Sequence, residues 1–184
     1  MKTNKTMKTS IKLMLALAVT AVTACNSGTD KAAESTAAHE NHQDTTATAA
    51  KPAFEDPKTE AVYEHYLHLK NALVEGNSAE AQSGAAALQT ALSDAGNTKG
   101  ADLAGKIASV KDIEAQRAQL ETLTAEVEAV IKASTLTSGV IYKQYCPMAN
   151  GDKGGYWLSS NKEIKNPYFG DAMLACGEVK EEIK

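Results

Sequence analysis

The chain has 184 residues, a net charge of −4 at pH 7 and a hydrophobic fraction of 43%, while aromatic residues make up only 5%. This length allows one domain of ordinary size with tails, and because alanine supplies much of the apolar content, a helical fold is favoured over a β-sandwich or barrel. The sequence has no basic stripe that could bind phosphate groups, which argues against nucleic acid as a partner.

Residues 1–24 are predicted to be a lipoprotein signal peptide. Lysines concentrate in residues 1–12, and residues 13–24 form an apolar run shorter than the ~20 residues that a membrane-spanning helix needs. The run ends in VTAC, which resembles a bacterial lipobox, the motif whose cysteine is acylated and becomes the new N-terminus. We therefore expect Cys25 to carry a lipid anchor on a membrane of the cell envelope, facing the periplasm. The alternative is a secreted protein that is cleaved just upstream and keeps Cys25 as a spare thiol.

Residues 25–57 are predicted to form a disordered tether, because they are rich in Ala, Thr, Ser, Glu and Asp and show no hydrophobic periodicity. His39 and His42 lie three residues apart in this segment, beside a glutamate. They either bind a transition metal or are simply solvated. The remaining residues, 58–184, are expected to form the folded domain.

Four helices are predicted next, each with apolar residues at the spacing of one buried stripe. They cover about residues 59–75, 78–93, 99–110 and 111–133. The expected architecture is an all-α, antiparallel bundle of three to four helices with short turns. Charged residues of the fourth helix, such as Arg117 and Glu121, are assigned to its solvated face.

The chain after the fourth helix is predicted to form an irregular C-terminal lid on the bundle. Residues 140–142 and 156–158 are short apolar pieces that can form a hairpin-like structure, with Trp157 buried against the helices. Asn166, which is followed by a proline, fits the cap of a last short helix. That helix is expected to end at Gly177.

Four sulfur-bearing side chains fall in this C-terminal segment as two local pairs. Cys146 and Met148 are two apart in extended chain and point the same way, whereas Met173 and Cys176 are three apart and share one face of the last helix. Soft sulfur ligands select Cu(I) or Ag(I) over hard ions, and His65 on the first helix could add a nitrogen to this metal site. Alternatively, the two cysteines form a disulfide, the methionines fill the core, and His65 is an ordinary residue of an amphipathic helix. The disulfide and the metal site could also be two redox states of one protein.

Four stretches carry a resemblance to a known family: YCPMA at 145–149, NPYFGD at 166–171 with Met173, Leu174, Cys176 and Gly177, residues 66–73, and IEAQR at 113–117. They resemble the bacterial DUF3347 family, whose members are domains of unknown function. The resemblance covers roughly residue 60 to the end of the chain. Members occur in secreted proteins and at the ends of periplasmic adaptor subunits of copper/silver efflux pumps, so the resemblance implies a setting in metal homeostasis and no particular activity. The Cys-Pro-Met sequence is also similar to the core of short heavy-metal-binding domains attached to such pumps, where a His usually follows and this chain has Ala149.

These observations predict a lipid-anchored envelope protein that binds Cu(I) or Ag(I) and buffers the ion or passes it to an efflux-pump adaptor subunit. The alternative is an interaction module, in which a Cys146–Cys176 disulfide fixes the lid and exposed Tyr156, Tyr168 and Phe169 contact another envelope protein. An enzyme is not expected, because the sequence contains neither a nucleophile–base arrangement nor a Gly-rich phosphate loop.

Overall fold

The computed structural model describes residues 50–184, so the predicted signal peptide, Cys25 and the two tether histidines lie outside the described residues. Four long helices are followed by short strands and turns. In chain order the elements are β1 (Ala53–Phe54), α1 (Pro57–Val74), α2 (Ser78–Asp94), α3 (Thr98–Ser109), α4 (Ile113–Lys132), β2 (Leu136–Ser138), β3 (Ile141–Cys146), α5 (Ala149–Asp152), β4 (Gly155–Ser159), a 3-10 turn (Gly170–Met173) and β5 (Glu178–Ile183). None of the helices within residues 50–184 combines the length and the apolar character that crossing a membrane requires.

The prediction of an all-α fold is wrong. Helices hold 56% and strands 16% of the described residues, and the strands form two antiparallel sheets, β1–β2 and a three-stranded sheet in the order β4-β3-β5. The predicted hairpin is present as β3 and β4. Strand β5, with the sequence EVKEEI, was not predicted because a charged sequence of this kind is typical of a solvated tail. It is a strand because β3 supplies backbone partners from more than thirty residues away, which no local pattern indicates.

The four long helices begin and end close to the predicted positions, because their boundaries depend on local capping. Each follows a residue whose side chain accepts a hydrogen bond from a backbone N–H of the first turn, namely Asp56, Asn77, Asn97 and Asp112. Helices α1 and α2 approach closely at Gly84, where a Cβ atom would lie only 2.9 Å from the backbone nitrogen of Leu69. Glycine is therefore needed for this helix contact.

Tyr66 of α1 joins the helix bundle to the three-stranded sheet. Its buried hydroxyl lies 2.9 Å from Oγ1 of Thr124 on α4 and accepts a hydrogen bond of 3.0 Å from the backbone N–H of Leu158 on β4. Burial raises the pKa of Tyr66 above its usual value, so the hydroxyl stays protonated. Trp157 is fully buried, as predicted, and the hairpin is thus part of the core.

Strands β1 and β2 connect the start of the domain to the end of α4. Ala53 lies opposite Ser138, and Phe54 lies opposite Leu136. The Ser138 hydroxyl donates a hydrogen bond of 3.0 Å to the backbone carbonyl of Lys51. The last residues assigned to the tether by sequence therefore pack as part of the folded domain.

Candidate functional site

A disulfide bond joins Cys146, the last residue of β3, to Cys176, which lies three residues after the 3-10 turn. The two Cα atoms are 5.8 Å apart, and the residues are 30 positions apart in the sequence. Cys146 is fully buried and Cys176 is half-buried. In this oxidised form neither sulfur is a thiolate, so neither can act as the predicted thiolate ligand.

Residues 160–177, called the covering loop below, lie over the face of the sheet that carries Cys146. Gln144, which is on the same face, donates hydrogen bonds from Nε2 to the backbone carbonyls of Asn161 at 2.9 Å and Glu163 at 3.2 Å. Gly177 at the end of the loop packs so closely that a Cβ atom would lie 2.8 Å from the Trp157 ring. The loop is therefore fixed to the sheet by polar contacts, packing and the disulfide.

The predicted last helix is wrong, because only Gly170–Met173 forms a short 3-10 turn. Asn166 organises this region differently. Its Oδ1 accepts a hydrogen bond of 2.8 Å from the backbone N–H of Tyr168, and its Nδ2 donates one of 2.8 Å to the backbone carbonyl of Cys176. Gly170 has φ of +55°, which interrupts a right-handed helix. Met173 and Cys176 therefore do not share an α-helical face.

Arg117 of α4 anchors the covering loop to the helix bundle. Its side chain is only 11% exposed, and it donates hydrogen bonds from Nε to the carbonyl of Pro167 at 3.0 Å and from Nη2 to the carbonyl of Leu73 at 2.8 Å. Its Nη1 pairs with the exposed Glu114 at 2.6 Å. The assignment of Arg117 to a solvated face is therefore wrong.

Glu121, one turn after Arg117 on α4, also contacts the C-terminal segment. Its carboxylate accepts a hydrogen bond from the backbone N–H of Tyr156 and lies 3.1 Å from the Tyr168 hydroxyl. That hydroxyl also lies 2.7 Å from the carbonyl oxygen of Tyr156 and shares its one proton between the two acceptors. Tyr168 is buried, contrary to the prediction that it is exposed, and burial beside this carboxylate raises its pKa. In the sequence, the one indication that Arg117 and Glu121 act together is their spacing of four residues, which places them on the same face of α4.

Met148 and Met173 line the same surface cavity, which has a volume of about 430 Å³ and is called the methionine cleft below. Arg117, Asp152 and Phe169 also contribute to its lining. Met148 is 47% exposed, and Met173 is half-buried. All four sulfur-bearing residues singled out in the sequence therefore lie in one region, with two in the disulfide and two at the cleft.

His65 is half-buried on α1 and is not among the residues that line the methionine cleft. Within residues 50–184, no group of three or more His, Cys, Asp or Glu side chains is arranged to hold a metal ion. The cleft offers the thioethers of Met148 and Met173 together with the carboxylates of Glu114 and Asp152. The thioethers suit a soft monovalent ion and are poor ligands for hard ions.

The fold defines a four-helix domain whose C-terminal segment forms a disulfide-linked antiparallel sheet. Residues 62–139 match the model of a family described as a protein of unknown function, DUF3347. The matched residues run from α1 through β2. They end before β3, so the disulfide and both methionines lie outside the match. No curated protein and no solved structure matches the chain.

Proposed function

We propose that this protein is a lipid-anchored, non-enzymatic envelope protein that binds a soft monovalent metal ion, Cu(I) or Ag(I), at the methionine cleft. The observation that carries the proposal is that Met148 and Met173, 25 positions apart in the sequence, line one cavity. Each lies within three residues of a cysteine of the Cys146–Cys176 disulfide, although neither cysteine lines the cavity. Thioether sulfur is a soft ligand that resists oxidation better than thiolate and favours Cu(I) and Ag(I) over Mg²⁺, Ca²⁺ or Zn²⁺.

The disulfide gives the proposed site two states. With the bond intact, all four sulfur atoms are neutral, and the soft ligands at the cleft are the two thioethers. A dithiol reductant that supplies two electrons opens the bond, and Cys146 and Cys176 then become thiols that can deprotonate on binding metal. The reduced protein is therefore expected to bind Cu(I) more tightly than the oxidised one. The protein would buffer the ion or pass it to an efflux-pump adaptor subunit.

A competition titration tests this proposal. The purified protein, with Cys25→Ser so that only two cysteines remain, is titrated against a chromogenic Cu(I) chelator under anaerobic conditions, once as isolated and once after disulfide reduction. Reduction is expected to tighten Cu(I) binding by about tenfold or more, because two anionic ligands join the site. Met148→Leu and Met173→Leu are expected to weaken binding in both states.

Leu174→Ala is the matched control, because it removes a neighbouring exposed apolar side chain that carries no sulfur. Binding that is unchanged in the Met148→Leu, Met173→Leu double variant would contradict the proposal. Equal affinity before and after reduction would contradict the redox dependence alone.

A second candidate function, an interaction module, is favoured by one specific observation. Among the described residues, the exposed large hydrophobic side chains are Met148 at 47% and Leu174 at 36%, and both lie in the C-terminal segment. Methionine is common on adaptable protein-binding surfaces. Tyr168 cannot contribute to such a surface because it is buried, whereas Phe169 is half-buried. If Cu(I) binding is absent in both redox states, capture of an envelope partner that is lost in Met148→Ser, Leu174→Ser would support this function instead.

A further inference from the structure

A second cavity, of about 390 Å³, lies between the C-terminal half of α1 and the segment that follows β4. Lys70 of α1 contributes to one wall, and Ser159, Asn161 and Lys165 contribute to the other. None of the residues lining this cavity, called the lysine cavity below, also lines the methionine cleft. The two cavities are therefore separate sites.

Lys70 is the unusual member of this cavity, because it is only 5% exposed. It forms no hydrogen bond or ion pair with any residue in the described range 50–184. Burial, together with the nearby charge of Lys165, lowers the pKa of Lys70 to about 8. The Nζ atom is not among the fully enclosed side-chain atoms of residues 50–184 that lack a partner, so water reaches it through the cavity. An anion beside the ammonium group would offset the cost of its largely apolar surroundings.

The opposite wall offers further groups that suit an anion. Lys165 adds a second positive charge. The Ser159 oxygen accepts a hydrogen bond of 3.1 Å from the backbone N–H of Asn161, which leaves its own proton free to be donated into the cavity. The Asn161 side-chain amide, which also lines the cavity, carries two more donors.

Three carboxylates also border the lysine cavity, namely those of Glu75, Glu163 and Asp171, and all three residues are exposed. Glu163 forms an ion pair of 3.4 Å with Lys165 at the surface. Water and salt screen these exposed charges much more than they screen the buried ammonium of Lys70. Lys165 is also exposed, so Lys70 is the one charged group of the lining that is shielded from solvent.

We propose that the lysine cavity is a binding site for a small oxyanion, with Lys70 as its buried cation and Lys165, Ser159 and Asn161 as supporting donors. The site binds a group bearing two or more terminal oxygens with negative charge, such as a sulfate, phosphate or carboxylate group. It is independent of the methionine cleft, so it stands whether or not the protein binds a metal.

The test uses the purified full chain and two probes, sulfate and acetate, at constant ionic strength. Sulfate is chosen over phosphate because it does not titrate near neutral pH. Sulfate stabilises many proteins without binding them, so the readout is saturable NMR chemical-shift change and not the melting temperature. We expect saturable binding of at least one probe, with shifts confined to α1 and the segment after β4. Lys70→Met should weaken the binding by about tenfold or more, because a charged hydrogen-bond partner is lost.

Lys162→Met is the matched control, because Lys162 is an exposed lysine of the same loop that does not line the cavity. Its affinity should equal that of the wild type, while Lys165→Met should bind more weakly. The affinity of the wild type for sulfate should also fall as the pH rises through about 8, where Lys70 loses its proton. This measurement needs no variant, so it decides the matter even if Lys70→Met fails to fold. The absence of saturable binding by either probe, or an equal loss in Lys162→Met, would overturn the proposal.

Discussion

At the scale of single residues, two charged side chains, those of Arg117 and Lys70, are buried in different ways. Arg117 is buried with its hydrogen bonds satisfied by backbone carbonyls of two other segments. Lys70 is buried with no partner among the described residues. The first arrangement stabilises the fold, and the second lowers its stability.

Lys70→Met is therefore expected to stabilise the protein near neutral pH by roughly 2 kcal/mol in the absence of oxyanions. The folded-state pKa of about 8 lies below the unfolded value of 10.5, so the unfolded chain binds more protons between these two values. The stability of the wild type relative to Lys70→Met should then rise as the pH increases from about 8 to 10.5. Urea unfolding of both proteins across this range measures the difference. A gap that stays constant with pH would show that burial does not shift the Lys70 pKa.

Arg117→Met is expected to destabilise the protein by about 2 to 3 kcal/mol, because the carbonyls of Pro167 and Leu73 lose a charged donor. Arg117→Lys should recover only part of this loss, since one ammonium group cannot reproduce the planar geometry of the guanidinium. Glu114→Gln serves as control and should change stability by less than about 1 kcal/mol, because the Glu114 carboxylate is exposed. Urea unfolding at one pH compares all three. Equal stability of Arg117→Met and the wild type would show that Arg117 does not anchor the covering loop to the helices.

At the scale of elements, β5 completes the three-stranded sheet by pairing with β3. Truncation after Gly177 should destabilise the domain by a few kcal/mol, because it removes a full set of ladder hydrogen bonds and exposes the β3 edge. Thermal unfolding measures the loss. Truncation after Ile183, which removes only the residue following β5, should leave the melting temperature unchanged.

The helices and the strands differ in how far the sequence predicts them. The caps Asp56, Asn77, Asn97 and Asp112 act within one helical turn, so the starts of the four long helices could be read locally. Strand β5 pairs with β3, more than thirty positions away, and β1 pairs with β2, more than eighty positions away. The pairing energy that makes these segments strands is not encoded in their own composition.

The candidate site also combines features that the local sequence indicates with features that depend on distant segments. The sequence singled out Cys146, Met148, Met173 and Cys176 because sulfur chemistry belongs to each side chain, and their binding of a metal stays a prediction. The roles of Arg117 and Glu121 could not, since both contact backbone groups or a tyrosine hydroxyl from distant segments. The lysine cavity was missed for the same reason, because the burial of Lys70 results from the segment that folds over α1.

At the scale of the whole molecule, the Cys146–Cys176 disulfide cross-links strand β3 to the covering loop. Closing a loop of this length is worth about 3 to 4 kcal/mol in the chain-entropy description. Cys146→Ala, Cys176→Ala should therefore unfold at lower urea concentration by that amount, while the helix content by circular dichroism stays near that of the wild type. Cys25→Ser is the control and should unfold like the wild type in urea. A double variant as stable as the wild type would mean that packing and hydrogen bonds alone hold the loop.

The β1–β2 pair has a mechanical consequence. Any force applied through residues that precede position 50 enters the domain at β1, before it reaches the first turn of α1. Since β1 is held by β2 and by the contact between Ser138 and Lys51, this small ladder takes the load first. We expect the β1–β2 hydrogen bonds to break under tension before the four long helices unfold.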